Sequence, residues 1–203
     1  MRDYQKDTID TYNTHAKGFQ TTWASRAQPE RVDEFLNVLS GKKILDVGCG
    51  SGRDVAIFVG KGYDVVGIDL SEAFIQMGRT HVPDAVFEQM DVLDLTFEDE
   101  TFDGVWASAI LLHLMPEDIP IAMKEIYRVL KPGGIFRFSV KKGNGARIES
   151  DIIVNSAKRL NVYFQKDEIE RYACVVGFEI IQSFESKSMR NPKIGFIDVL
   201  ARK

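Results

Sequence analysis

The pattern of apolar and polar positions changes period repeatedly along the chain, and each change marks an element. Residues 3–18 and 27–40 read as helices. In the second, Pro29 sits in the first turn, Val32, Phe35, Leu36 and Leu39 recur at helical spacing, and Gly41 stops the run. Lys43-Ile-Leu-Asp-Val-Gly is a short apolar strand that enters a glycine loop, and 52–61 returns to helix, with Val55, Ile57, Phe58 and Val59 apolar. A second strand covers Tyr63 to Asp69. Ser71 is a good N-cap for a helix through about Thr80, with Glu72 favourable in its first turn. Residues 84–90 make a third strand and 102–107 a fourth. Pro116, Glu117 and Asp118 open a helix whose apolar face is Ile119, Ala122, Met123, Ile126, Val129 and Leu130. Lys131-Pro-Gly-Gly ends it, and a fifth strand begins at Ile135.

Beyond that strand, 141–150 reads as a polar loop. A strand near 160–164, a helix at 166–174 and strands at 178–185 and 194–201 follow. The last two strands succeed one another through a turn at Asn191-Pro192, which predicts an antiparallel pair. Strand and helix alternate, so the expected fold is α/β, a doubly wound and mostly parallel sheet with helices on both faces.

Length and composition narrow the class. A chain of 203 residues suits one domain, and 44% hydrophobic with 28% charged residues excludes a disordered chain. No apolar run approaches the ~18 residues of a membrane span, and the first residues hold no apolar stretch for a signal peptide. Cys49 and Cys174 make neither a disulfide framework nor a metal ligand set. These features predict a reduced, cytoplasmic protein, monomer or homodimer, without membrane contact. Residues 1–140 carry 14 Lys and Arg against 22 Asp and Glu, and 141–203 carry 12 against 8, a modestly basic tail.

The strongest chemical signal is the strand, loop and helix around Asp46-Val-Gly48-Cys49-Gly50-Ser51-Gly52-Arg53. Glycines let the backbone approach a ligand, and the following helix start favours an anion. A dinucleotide loop wants G-x-G-x-x-G, but its sixth position here is Arg53, with the third glycine one residue early at Gly52; no Lys-Ser/Thr pair makes a P-loop. Asp46 would repel a pyrophosphate and suits a ligand with an ammonium beside its carboxylate.

At these residues the sequence resembles the class I S-adenosylmethionine (SAM)-dependent methyltransferase family. Ile44-Leu-Asp-Val-Gly-Cys-Gly-Ser-Gly-Arg-Asp looks like its first motif, and four further features arrive in register: Asp69 after the second strand, Asp91 after the third, Phe102-Asp-Gly-Val-Trp-Ala-Ser as the fourth, and Leu130-Lys-Pro-Gly-Gly before the fifth. The resemblance covers 43–140 well. It implies a Rossmann-like sheet of seven strands with the last antiparallel, organised as a single domain: 1–41 a helical lid, 42–140 the cofactor core, 141–203 the substrate side. It implies SAM as cofactor and S-adenosylhomocysteine as product. The cofactor-binding candidates are Asp46, Gly48, Cys49, Gly50, Gly52, Arg53, Asp69, Leu70, Met90, Asp91, Val92, Ala107 and Ser108. Asp69 would accept the ribose hydroxyls and Asp91 the adenine amino group, with Met90 and Val92 near the ring. Arg53 would meet the cofactor carboxylate, or else be a surface arginine. Cys49 packs beneath the loop as a structural residue.

For catalysis His113, just past the fourth strand, is the candidate base, with packing under the next helix as its alternative. His81 reads as a surface residue. Tyr12, His15 and Trp23 are lid candidates, and Tyr163 and Phe164 would line the same cleft. Lys141-Lys-Gly-Asn-Gly-Ala-Arg147 could close over an acidic substrate. No metal is expected. Ala107-Ser-Ala-Ile replaces the Asn/Asp-Pro-Pro-Tyr/Phe of amino-directed DNA methyltransferases, and a net charge of −4 is a poor nucleic-acid footprint. The expectation is a small-molecule acceptor methylated on O or N. A tRNA or protein side-chain acceptor, a non-catalytic SAM-binding module and a nicotinamide-dependent oxidoreductase stand as alternatives.

Overall fold

The computed structural model describes residues 1–24, 28–150, 158–188 and 194–203, the side chains of 23 and 24 excepted. Its elements follow the sequence pattern closely. They run α1 (Asp3–Ala24), α2 (Pro29–Leu36), β1 (Lys43–Val47), α3 (Arg53–Gly60), β2 (Asp64–Asp69), α4 (Glu72–His81), β3 (Val86–Gln89), β4 (Phe102–Ser108), a single 3-10 turn (Leu111–His113), α5 (Ile119–Val129), β5 (Leu130–Lys142), β6 (Gly145–Ser150), β7 (Lys158–Phe164), α6 (Lys166–Val176), β8 (Glu179–Lys187) and β9 (Gly195–Arg202). Ser71 caps α4 as expected, its hydroxyl accepting the Phe74 N–H at 3.3 Å. Lys131 to Gly134 loop out between Leu130 and Ile135, which pair with Phe102 and Gly104 of β4.

Strands β3-β2-β1-β4-β5 are parallel neighbours, and β9 pairs antiparallel with β5 and with β8. These seven are the expected sheet. Among the described residues the sheet nevertheless has nine strands, because 145–150 is not a loop: it pairs antiparallel with β7 from Gly145↔Tyr163 to Ser150↔Lys158. Nearly every β6 side chain is exposed, so no apolar alternation announces it, and the strand is held by backbone pairing together with polar side-chain ties from Glu149 and Arg147. Lys141 of β5 pairs with both Tyr163 and Phe196. A strand has two edges, so β7 lies on the β4 side of β5, past Ser108, over the carboxyl edge of the sheet. The predicted turn at Asn191-Pro192 lies outside the described residues.

Register sorts the strand side chains into two faces. One carries Leu45, Val66, Val105, Phe136, Phe138 and Val199, packed against α5 and α6 through Ile119, Met123, Ile126, Ile169 and Ala173. The other carries Ile44, Val65, Trp106, Ile135 and Leu200, packed against α2 and α3 through Val32, Phe35, Val55 and Phe58. No described helix is long and apolar enough to cross a membrane.

Candidate active-site cleft

A cleft of about 840 Å³ opens at the carboxyl ends of β1, β2, β4 and β5, under α1 and the β6–β7 hairpin. The glycine loop forms one wall. Gly48 and Gly52 have φ of +70° and +86°, and a Cβ would meet Ile110 at 2.7 Å and Phe87 at 2.8 Å. Glycine is required there by backbone conformation and by space together. Cys49 packs beneath the loop, its sulfur against Gly67, and burial first, then Asp46, pushes its thiol well up, as befits a structural cysteine.

Two carboxylates flank the loop. Asp46, at 2% exposed, lines the cleft, and among the described residues no donor bonds its side chain. Burial, and next the neighbouring Asp54, hold its carboxyl well above the usual range. Asp69 is oriented by the Gly50 N–H at 3.0 Å and the Ser71 N–H at 2.8 Å, and burial pushes its carboxyl up to about 6. The sequence missed Asp54. Its carboxylate takes Arg53 Nε and Nη2 at 2.7 and 2.6 Å and the Trp106 indole N–H at 3.0 Å. Arg53 lines the cleft; the fork to Asp54 takes two of its five N–H groups and leaves Nη1 without a partner among the described residues.

Leu70, Met90, Asp91, Val92 and Ser108 also line the cleft. Asp91 accepts the Leu93 N–H and meets the Met1 amino group at 3.4 Å. Ala107 does not line it. β4 alternates, and Ala107 is fully buried on the opposite face, so Ala109 and Ile110 stand there instead. His15 is absent from the lining as well; it sits at the kink of α1, with φ −114° and ψ 19°. Tyr163 and Phe164 lie outside the cleft. Tyr163 hydrogen-bonds Glu149 and stacks under Arg147, and Phe164 is buried in the core. His81 does line the cleft, with Gln20 at 3.1 Å. The Trp23 side chain lies outside the described residues. Of the predicted basic loop, Lys141 reaches the cleft, paired with Glu149 at 2.7 Å.

His113 and Tyr12 meet in the cleft lining. His113 Nδ1 lies 2.6 Å from the Leu160 carbonyl, and a carbonyl only accepts, so Nδ1 carries the proton. Nε2 therefore accepts the Tyr12 O–H at 2.8 Å, and Tyr12 accepts Arg159 Nη1 at 3.0 Å. Burial first, then Arg159, drives the His113 pKa down to about 3. Arg159 was missed because nothing in the sequence shows β7 crossing above the sheet edge.

Residues 45–138 match the family model described as a methyltransferase domain. The chain is 29% identical over 176 residues to 24-methylenesterol C-methyltransferase 2 of Oryza sativa subsp. japonica, covering 80% of this chain and 48% of that protein. It spans about half the length of the curated relatives it matches. A SAM-dependent methyltransferase from Methanosarcina mazei superposes with a TM-score of 0.74 at 25% identity, over 83% of this chain and 95% of that one. The 1,6-didemethyltoxoflavin-N1-methyltransferase of Burkholderia thailandensis, solved with 1,6-didemethyltoxoflavin and S-adenosylhomocysteine, gives 0.79 at 22% identity, over 99% and 89%. Sequence motifs, strand order and these likenesses agree that residues 45–138 form a methyltransferase domain of the class I S-adenosylmethionine-dependent type.

Proposed function

We propose that the protein transfers a methyl group from SAM to an oxygen or nitrogen atom of a small-molecule acceptor. One observation carries the reading. Asp46, buried, and Asp69, half-buried, stand on either side of a glycine loop, both facing one cleft, and Asp46 lacks a donor among the described residues. A buried carboxylate in that state wants a cation, and the ammonium of an amino-acid headgroup supplies one. Asp69, held by two backbone N–H groups, offers its remaining lone pairs to ribose hydroxyls. Met90 and Val92 give the adenine an apolar bed, and Asp91 an acceptor beside it.

When bound, SAM supplies a methyl group already made electrophilic by its sulfonium. The chain's own tasks are then alignment and exclusion of water. α1 covers the cleft, tied down by Tyr4 to Asp118 at 2.7 Å, Asn13 to Ser71 at 2.7 Å and Thr8 to the Leu160 N–H at 3.0 Å. His113 stays neutral at ordinary pH and spends its basic nitrogen on Tyr12. That arrangement favours His113 as a positioning residue, with the Tyr12 hydroxyl as the group offered to the acceptor. The sterol name of the rice relative and the 1,6-didemethyltoxoflavin bound in the Burkholderia structure both support a small-molecule acceptor.

Calorimetry with SAM, S-adenosylhomocysteine and NADH tests the assignment. Binding of the first two without the third is expected, and NADH binding alone would overturn it. Tyr12→Phe and His113→Gln should both slow transfer of labelled methyl while leaving S-adenosylhomocysteine bound. His113→Gln should leave the pH profile of turnover unchanged, and loss of a titration step in that variant would restore His113 as the base.

A further inference from the structure

We infer, building on that methyl-transfer reading, that the acceptor is a water-soluble molecule recognised through its hydroxyl or amino groups on a polar rung across β4, β5 and β9. Ser108 pairs with Ser139, and Ser139 with Asp198, so the three side chains stand side by side on one face, roughly 5 Å apart. All three line the cleft, and Ser186 joins from β8, its hydroxyl donating to Asp198 Oδ2 at 2.7 Å. Arg137, two residues before Ser139 on the same face, holds the other Asp198 oxygen and stacks over Trp106 at 4.3 Å. The rung is thus braced from beneath.

The rung has unspent hydrogen-bonding capacity. Ser139 is 6% exposed; its oxygen accepts the Ala109 N–H at 3.0 Å, and its own proton has no acceptor among the described residues. Asp198 is 5% exposed, and each of its oxygens takes one donor and keeps a lone pair. Asn161 enters from β7 at 1% exposed. It spends one N–H on the Arg159 carbonyl at 3.3 Å, and no described residue bonds its carboxamide oxygen. A ligand bringing donors to Asp198 and Asn161 and an acceptor to Ser139 completes this wall. A hydrocarbon there would strand all three groups away from water, and sites built for hydrogen bonds reject analogues that lack them. The rung begins at the carboxyl end of β4, where Ser108 borders the cofactor side, so it lies where an acceptor must approach. A chain whose sequence resembles a sterol methyltransferase therefore carries a floor suited to a polar acceptor.

The test divides a small-molecule extract of the cells that make this protein between water and chloroform. Each phase is offered to the purified protein with methyl-labelled SAM. Label passing to the aqueous pool is expected, and label confined to the chloroform pool overturns the proposal. Label in neither, from protein that binds S-adenosylhomocysteine by calorimetry, overturns the methyl-transfer reading beneath it. Ser139→Ala and Ser186→Ala should each raise the half-saturating amount of the aqueous pool by about three- to tenfold, the range of one lost hydrogen bond. Their S-adenosylhomocysteine dissociation constants should stay within twofold. Asp198→Asn should lose more, but it strips Arg137 of its charge partner, so the serine variants carry the test. Unchanged half-saturation in both would overturn the rung as the acceptor's floor.

Discussion

On the α5–α6 side of the sheet, Val105, Ala107, Phe136, Phe138, Val140, Ile197 and Val199 stay apolar up to the carboxyl edge. On the α2–α3 side, the apolar row Ile44, Val65 and Ile135 gives way one step further on to Asp46, Trp106, Arg137 and Leu200, and then to Ser108, Ser139 and Asp198. The same strands thus anchor the fold with one set of side chains and present chemistry with the other. A strand directs alternate residues to opposite faces, so the chemistry can be placed without interrupting the core. The difference also locates the cleft: it forms where apolar packing on one face stops before the strands do.

The comparison is broken hardest by removing a member of each face. Phe136→Ala should cost about 3–5 kcal/mol in urea unfolding, the range for a buried phenylalanine. Arg137→Met should cost a similar ~3–5 kcal/mol, for a different reason, because it leaves Asp198 buried without its charge. Adding Asp198→Leu to Arg137→Met should return most of that loss, whereas no second deletion repairs Phe136→Ala. A double variant as unstable as Arg137→Met would show that the pair is not an isolated charge couple.

A smaller effect is expected at the cofactor end. Asp69→Ala should weaken S-adenosylhomocysteine binding at least about tenfold, since hydrogen bonds to a charged group contribute roughly 1.5–3 kcal/mol each. Titration of Asp69 should show in binding against pH. Its carboxyl is pushed up to about 6, so affinity should fall as pH drops through 6, and Asp69→Asn should flatten that profile. For folding the sign is opposite. Between about 6 and 3.8 the folded chain holds a proton that the unfolded chain has released, so acidification through this window stabilises the free fold through Asp69. His113 works the other way. Its pKa falls from 6.5 to about 3 on folding, so the unfolded chain takes the proton first and stability is lost as pH falls through that range. Denaturation of His113→Gln from pH 7 to 5 should therefore show a shallower acid loss than the parent. The smallest change in stability is Ser71→Ala, where losing the cap on α4 and the tie to Asn13 should cost about 1–2 kcal/mol in the same urea assay.

The sequence by itself determined the alternation of strand and helix, the glycine loop with Asp46 and Asp69 around it, and the cap at Ser71. These are local: each depends on residues within one turn or one strand. The meeting of Arg137, Ser139 and Asp198 is not local. Tertiary structure decided that, because pairing register sets which side chains share a face, and β9 reaches β5 from more than fifty residues away. It decided the β6–β7 hairpin too, which has almost no buried side chains on β6 to mark it and which brings Arg159 and the Leu160 carbonyl onto Tyr12 and His113. His113 was visible as a histidine beside a strand end. Its neutral state follows from burial and from partners 47 and 101 residues distant, which no local pattern contains.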